Sequence, residues 1–150
     1  MNHPILGVIT KENGDGVASV PYGDRQIRIR IIADEIPYHA TVDVAVSVVQ
    51  NLNVLDSKAK HVAAADLTDG YNSGWNEYDE VQEDGTVKAV SNPKLKPDEF
   101  AAKLTLKTVN VTGNMIDLFY DDENLFWGHS IVVTSMDGVA FTDTHAEIFG

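Results

Sequence analysis

The stretch LTLKTVNVTGNMIDLFYDDENLFWGHSIVV, residues 104–133, decides the fold. It holds three short alternating runs, LTLKTVNVT, MIDLFYD and HSIVV, separated by GN and by DDENLFWG. Side chains two residues apart share a face of a strand, so each run reads as a strand with one apolar face. A Gly-Asn turn joins the first two, which makes them antiparallel neighbours. AFTDTHAEIFG, after the turn at Asp137-Gly138, adds a fourth run, and the four together predict an antiparallel meander.

Working towards the N-terminus, PDEFAAKL predicts a short helix near residue 98. Pro97 suits the first helical position, and Asp98 and Glu99 suit the positive end of the helix dipole. Residues 76–96 have no consistent period and read as a long surface loop with a short hairpin about Asp84-Gly85. Further back, Val42, Ala45, Val46 and Val49 fall at helical spacing, which predicts a helix from Thr41 to the NLN break at residues 51–53. Asp56 is placed as the N-cap of a second helix, SKAKHVAAADL, whose Ala59, Val62 and Ala63 share a face. That helix runs to YNSGW, where Asn72 and Gly74 break it. ILGVIT (residues 5–10) reads as a strand ended by NGDG, and Ile27, Ile29 and Ile31 alternate with Gln26, Arg28 and Arg30 in a second strand. The expected fold is one α+β domain over residues 1–150. It has an N-terminal β-hairpin, two to three helices and a C-terminal antiparallel meander sheet with the helices packed on one face.

Composition narrows the function. The chain has 150 residues, 43% of them apolar, enough for one core. There is no cysteine, which removes disulfides, thiolate catalysis and Cys-ligated zinc. No apolar run is long enough for a transmembrane helix, and the N-terminus lacks the pattern of a signal peptide, so a cytoplasmic protein without membrane attachment is expected. The net charge is -12. Residues 1–75 carry six basic and nine acidic groups, and residues 76–150 carry five and fourteen. Such a field repels nucleic acid and attracts a basic protein. All three arginines lie at residues 25–30, a small basic stripe that solvation alone also accounts for.

The densest cluster of candidate side chains is DDENLFWGH: Asp121, Asp122, Glu123, Trp127 and His129. These are the candidate binding residues. Asp and Asn suit turns because their side chains bond the local backbone, and Gly128 frees φ where the chain re-enters the sheet. The cluster therefore reads first as a turn in which Phe126 and Trp127 cap the end of the sheet, a buried Trp127 and His129 support the fold, and His129, if it faces inward with Ile131 and Val133, is a core histidine bonded to backbone. A calcium site would need about six oxygens in defined positions, and the D-x-D-x-D-G pattern is missing. His129 and His145 with Asp143 or Glu147 would form a zinc site only if they converge, and no H-x-x-x-H or H-E-x-x-H spacing supports that. His3, His39 and His61 are isolated. No G-x-S-x-G elbow and no phosphate loop occurs, and the acid pairs Asp34-Glu35 and Asp121-Asp122 are expected by chance among 23 acids. No catalytic residue, metal or cofactor is assigned.

The order of YNSGW, PDEFAAKLTL, IDLFYDDENLFWGHSIVV and a terminal AEIFG resembles an uncharacterised bacterial domain-of-unknown-function family. Its pattern is N-x-x-W, a short helix with E-F, a D-x-x-x-F-x-GH-x-I strand pair and a final A-x-I-x-G. Asn72 and Trp75 match the first motif, in which SG replaces the more usual polar pair. Asp122, Phe126, Gly128, His129 and Ile131 match the third. The resemblance spans roughly residues 55–150 and, more loosely, the N-terminal strands. It implies an α+β fold and no particular activity. The resulting expectation is a small acidic binding protein without catalysis, such as an inhibitor or immunity-type partner of a basic protein. The alternative is a metal-dependent hydrolase or cation-binding enzyme that uses His129, His145 and nearby acids.

Overall fold

Ile27, Ile29 and Ile31 are fully buried while Gln26 and Arg28 stay exposed, as their alternation predicts. They belong to β5 in a computed structural model that describes residues 1–33 and 38–150. In chain order the strands are β1 (Asn2–His3), β2 (Gly7–Val8), β3 (Thr10–Glu12), β4 (Asp15–Tyr22) and β5 (Arg25–Ile32). Helices α1 (Tyr38–Gln50) and α2 (Leu52–Gly70) follow, then a wide helical turn, Tyr71–Trp75. Strands β6 (Glu77–Val81) and β7 (Val87–Ser91) and helix α3 (Pro97–Ala102) precede β8 (Thr105–Thr112), β9 (Met115–Asp121), β10 (Ser130–Ser135) and β11 (Thr144–Phe149).

Seven strands form one sheet in the order β11-β10-β9-β8-β5-β4-β3. The predicted C-terminal meander is present, and it does not stand apart from the N-terminal hairpin. β5 and β8 pair in parallel, with Ile29 beside Val109, and this pairing welds the two halves. A parallel pair needs a long crossover, and the helices between β5 and β8 supply it. Register then aligns Ala18, Ile29, Val109, Leu118 and Val133 across five strands on one buried row. The helices cover that face. α1 buries Val42, Ala45 and Val48, so the apolar stripe is rotated from the predicted one, and Val46 and Val49 are only half-buried.

Two further expectations are corrected. Residues 5–10 do not form one strand: β2 and β3 interrupt there, with Leu6 and Ile9 buried and Ile5 exposed. Asn13-Gly14 closes the β3–β4 hairpin at φ +54° and +89°, as the turn residues imply. Asp56 does not cap α2, which already begins at Leu52. It lies inside the helix, 5% exposed, because two tyrosines of the sheet reach it. The Tyr22 hydroxyl donates to Asp56 Oδ2 at 2.7 Å and the Tyr120 hydroxyl to Oδ1 at 2.7 Å, with Lys60 Nζ at 3.6 Å from Oδ2. A buried carboxylate is tolerated only with such partners, and this one ties α2 to β4 and β9. Asp34 and Glu35 lie outside the described residues.

The arginine stripe is absorbed by structure. Arg25 donates to the Leu106 carbonyl, Arg28 reaches Glu12 at 2.6 Å, and Arg30 reaches Asp15 at 3.1 Å. Among the described residues no helix is long and apolar enough to cross a membrane.

Candidate functional site

The loop between β9 and β10 and the β6–β7 hairpin enclose an open groove of about 1070 Å³. The loop earns its shape from Asp122. Its carboxylate is buried and accepts from the Asn124 N–H at 3.0 Å and the Phe126 N–H at 3.2 Å. This local bonding turns the chain and lets Glu123, Asn124, Trp127 and Gly128 all adopt positive φ. Burial pushes the Asp122 carboxyl up from its ordinary range, against the pull of the two N–H donors. Asp122 therefore builds the loop, whereas Asp121 and Glu123 are exposed. Glu123 lies 3.6 Å from Lys103.

Trp127 departs from expectation. It is 52% exposed, and Phe126 fills the core in its place. The cause is the backbone: positive φ at Trp127 (+53°) turns its side chain outward while Phe126 points in. Phe126 packs edge-on against Tyr71 and Phe100, at 5.9 and 6.1 Å between ring centres. A train of aromatic rings then leads from this core to the surface. Phe126 meets Trp75 at 5.2 Å, Trp75 meets Trp127 at 4.8 Å, and Trp127 meets Tyr78 of β6 at 6.4 Å.

The hairpin predicted about Asp84-Gly85 is real, and it is an arm. All five residues of β6 are exposed, and Gly85 turns the tip at φ +84°. Two asparagines hold its base. Asn72 accepts from the Leu95 N–H at 2.9 Å and donates to the Leu95 carbonyl at 2.8 Å. Asn76 donates through its side chain to the Asn92 carbonyl at 3.0 Å, and its own carbonyl accepts from the Asn92 N–H at 2.7 Å. The groove is thus lined on the arm by Glu77, Tyr78 and Asp79 of β6 and by residues 89–92 on and just after β7, with Glu123, Asn124 and Trp127 on the loop.

The histidines stay apart. His129 precedes β10 instead of opening it, is half-buried, and sets its ring edge-on to Trp75 at 6.1 Å. His145 is exposed near the start of β11, opposite Thr134, whereas the residue after His129 pairs with Phe149. The two are therefore about 16 Å apart along the strands at roughly 3.3 Å per residue. Among the described residues no three His, Asp or Glu side chains gather closely enough to hold a metal ion. Of the five candidates in the loop, Glu123 and Trp127 line the groove, His129 backs it through Trp75, Asp122 shapes the loop, and Asp121 ends β9 outside the groove wall. Sequence reading missed Tyr78, Glu77 and Asp79 as their partners. The signal available was five acids at residues 77–84 with an aromatic among them.

A family model described as an uncharacterised protein conserved in bacteria (DUF2262) matches residues 15–145, and the chain belongs to that family. No curated protein and no solved structure matches it.

Proposed function

We propose that the chain is a binding protein without catalysis, and that its arm-and-loop groove receives a cationic segment of a basic protein. The observation that supports this reading is the half-exposed Trp127 at positive φ, packed at an angle against Trp75 and Tyr78 in a groove that Glu77, Asp79 and Glu123 also line. A bulky residue in that backbone region costs about 1–3 kcal/mol, so its outward ring is held there at some expense to folding. Aromatic faces attract Lys and Arg cations, by about 0.5–2 kcal/mol each, and carboxylates at the rim add attraction and steering. The net charge of -9 on residues 76–150 brings basic partners to this half of the chain. An inhibitor or immunity-type role against a basic toxin fits the same chemistry.

The test is tryptophan fluorescence during titration with a short oligolysine peptide, with oligoglutamate as control. The reading expects saturable change with oligolysine alone, weakened by salt. It expects Trp127→Ala to lose most of the binding while remaining folded. Equal responses to both peptides would refute it.

A further inference from the structure

We infer that the basic partner binds as an extended strand added to the free edge of β6, its backbone pairing with the arm while its Lys or Arg side chains enter the groove. This inference rests on the groove reading above and specifies its geometry. Among the described residues, strands β6 and β7 pair only with each other. The Asn92 N–H bonds the Asn76 carbonyl and the Gln82 N–H bonds the Thr86 carbonyl, so these are hydrogen-bonded pairs at the two ends of the ladder. Such pairs alternate with non-bonded ones in an antiparallel ladder. Counting along the register, Glu77, Asp79 and Val81 face Ser91, Ala89 and Val87 as the non-bonded pairs. Their N–H and C=O groups consequently point away from β7, along an edge where all of β6 is exposed.

A two-stranded arm touched by the rest of the chain mainly through Tyr78 is marginal in water, and a third strand is what commonly stabilises one. The apolar cross-strand pair Val81 and Val87 near its tip is 72% and 61% exposed, which leaves area for a partner to cover. Charge selects the occupant. The arm carries Glu77, Asp79, Glu80, Glu83 and Asp84 against Lys88 alone. Edge-to-edge pairing with a second copy would set these acids against each other, and charge on an edge is a common means of preventing that. The same acids favour a strand bearing Lys or Arg opposite them. β7 offers Lys88 and no acid along its own edge, so β6 is the favoured side.

The experiment uses the full chain and a short peptide alternating Lys and Thr, beside its fully N-methylated counterpart, which keeps the charges and loses every backbone donor. Amide hydrogen exchange is read at Glu77, Asp79 and Val81, and binding is read from tryptophan fluorescence. Expected are slowed exchange at these three amides when the peptide is bound, and at least about tenfold weaker binding of the N-methylated form. Tryptophan response without protection of the three amides overturns strand addition and leaves the groove reading standing, as does equal affinity of the two peptides. Protection that rises with protein concentration in the absence of peptide overturns it in favour of a second copy. If neither peptide binds, strand addition and the groove reading fail together.

Discussion

Tyr120 donates its hydroxyl to Asp56 across 64 positions of sequence, at 2.7 Å and out of contact with water. Tyr22 completes the cluster from the other half of the sheet. One carboxylate thus joins the helical layer to strands on both sides of the parallel β5–β8 pair. Hydrogen bonds to a charged group contribute about 1.5–3 kcal/mol each, and leaving a buried partner unsatisfied adds to the loss. Asp56→Ala is expected to destabilise the domain by about 3 kcal/mol or more and Tyr120→Phe by about 2 kcal/mol, measured by urea unfolding. Equal and small losses for both would mean that the cluster does not join the layers.

The tyrosines also set an alkaline limit. Burial and the bond to Asp56 push the Tyr22 hydroxyl up to about 12 from its ordinary 10.0, and burial raises Tyr120 as well. A group whose pKa rises on folding stabilises the fold below its unfolded value, and that contribution fades as pH climbs to the folded value. Tyr22 therefore helps fully below pH 10 and loses its contribution between pH 10 and 12. Tyr22→Phe should be less stable than wild type near neutrality, with the difference shrinking through that window. A difference that does not change with pH would contradict the assignment.

Neighbouring rings in the loop should behave oppositely. Phe126→Ala removes a fully buried ring and is expected to cost about 3–5 kcal/mol. Trp127→Ala, although it deletes the larger side chain, should cost about 1 kcal/mol, the worth of an exposed stacking contact. The double variant Asp121→Asn, Glu123→Gln should melt near wild type, because exposed ion pairs such as Glu123–Lys103 contribute about 0–1 kcal/mol. Thermal melting of the three variants checks all of this, and a Trp127 variant as damaged as the Phe126 variant would return Trp127 to the core.

Asp122 is expected to be indispensable to the loop. Asp122→Ala leaves the Asn124 and Phe126 N–H groups without their acceptor, at about 1–3 kcal/mol. The loss should appear as faster amide exchange at those two residues ahead of global unfolding. Unchanged exchange there would show that the turn holds without its carboxylate.

The strands were legible where alternation is strict, as in Ile27, Ile29 and Ile31, and the helix α3 where Pro97, Asp98 and Glu99 mark its start. Asp56 was misread because local preference places Asp at helix starts, whereas its position answers to tyrosines 34 and 64 residues away. The parallel β5–β8 pairing left no local trace for the same reason: it depends on a crossover that holds α1, α2, the arm and α3. Trp127 was misread because composition argues for burying a Trp, and only the succession of positive φ angles after Asp122 decides which of Phe126 and Trp127 turns inward. The arm showed its turn at Asp84-Gly85, but its meeting with the β9–β10 loop is a long-range contact that no period encodes.

Trp127 lines the groove and Trp75 packs against it at 4.8 Å, so the indole N–H resonances of the chain's two tryptophans report on it. The decisive measurement is the NMR titration of those resonances with a short oligolysine peptide, at low and at high salt. A cation-receiving groove predicts that both shift and saturate, Trp127 the more strongly, with affinity falling as salt rises. Indole resonances that stay fixed while only scattered surface acids respond would contradict the account.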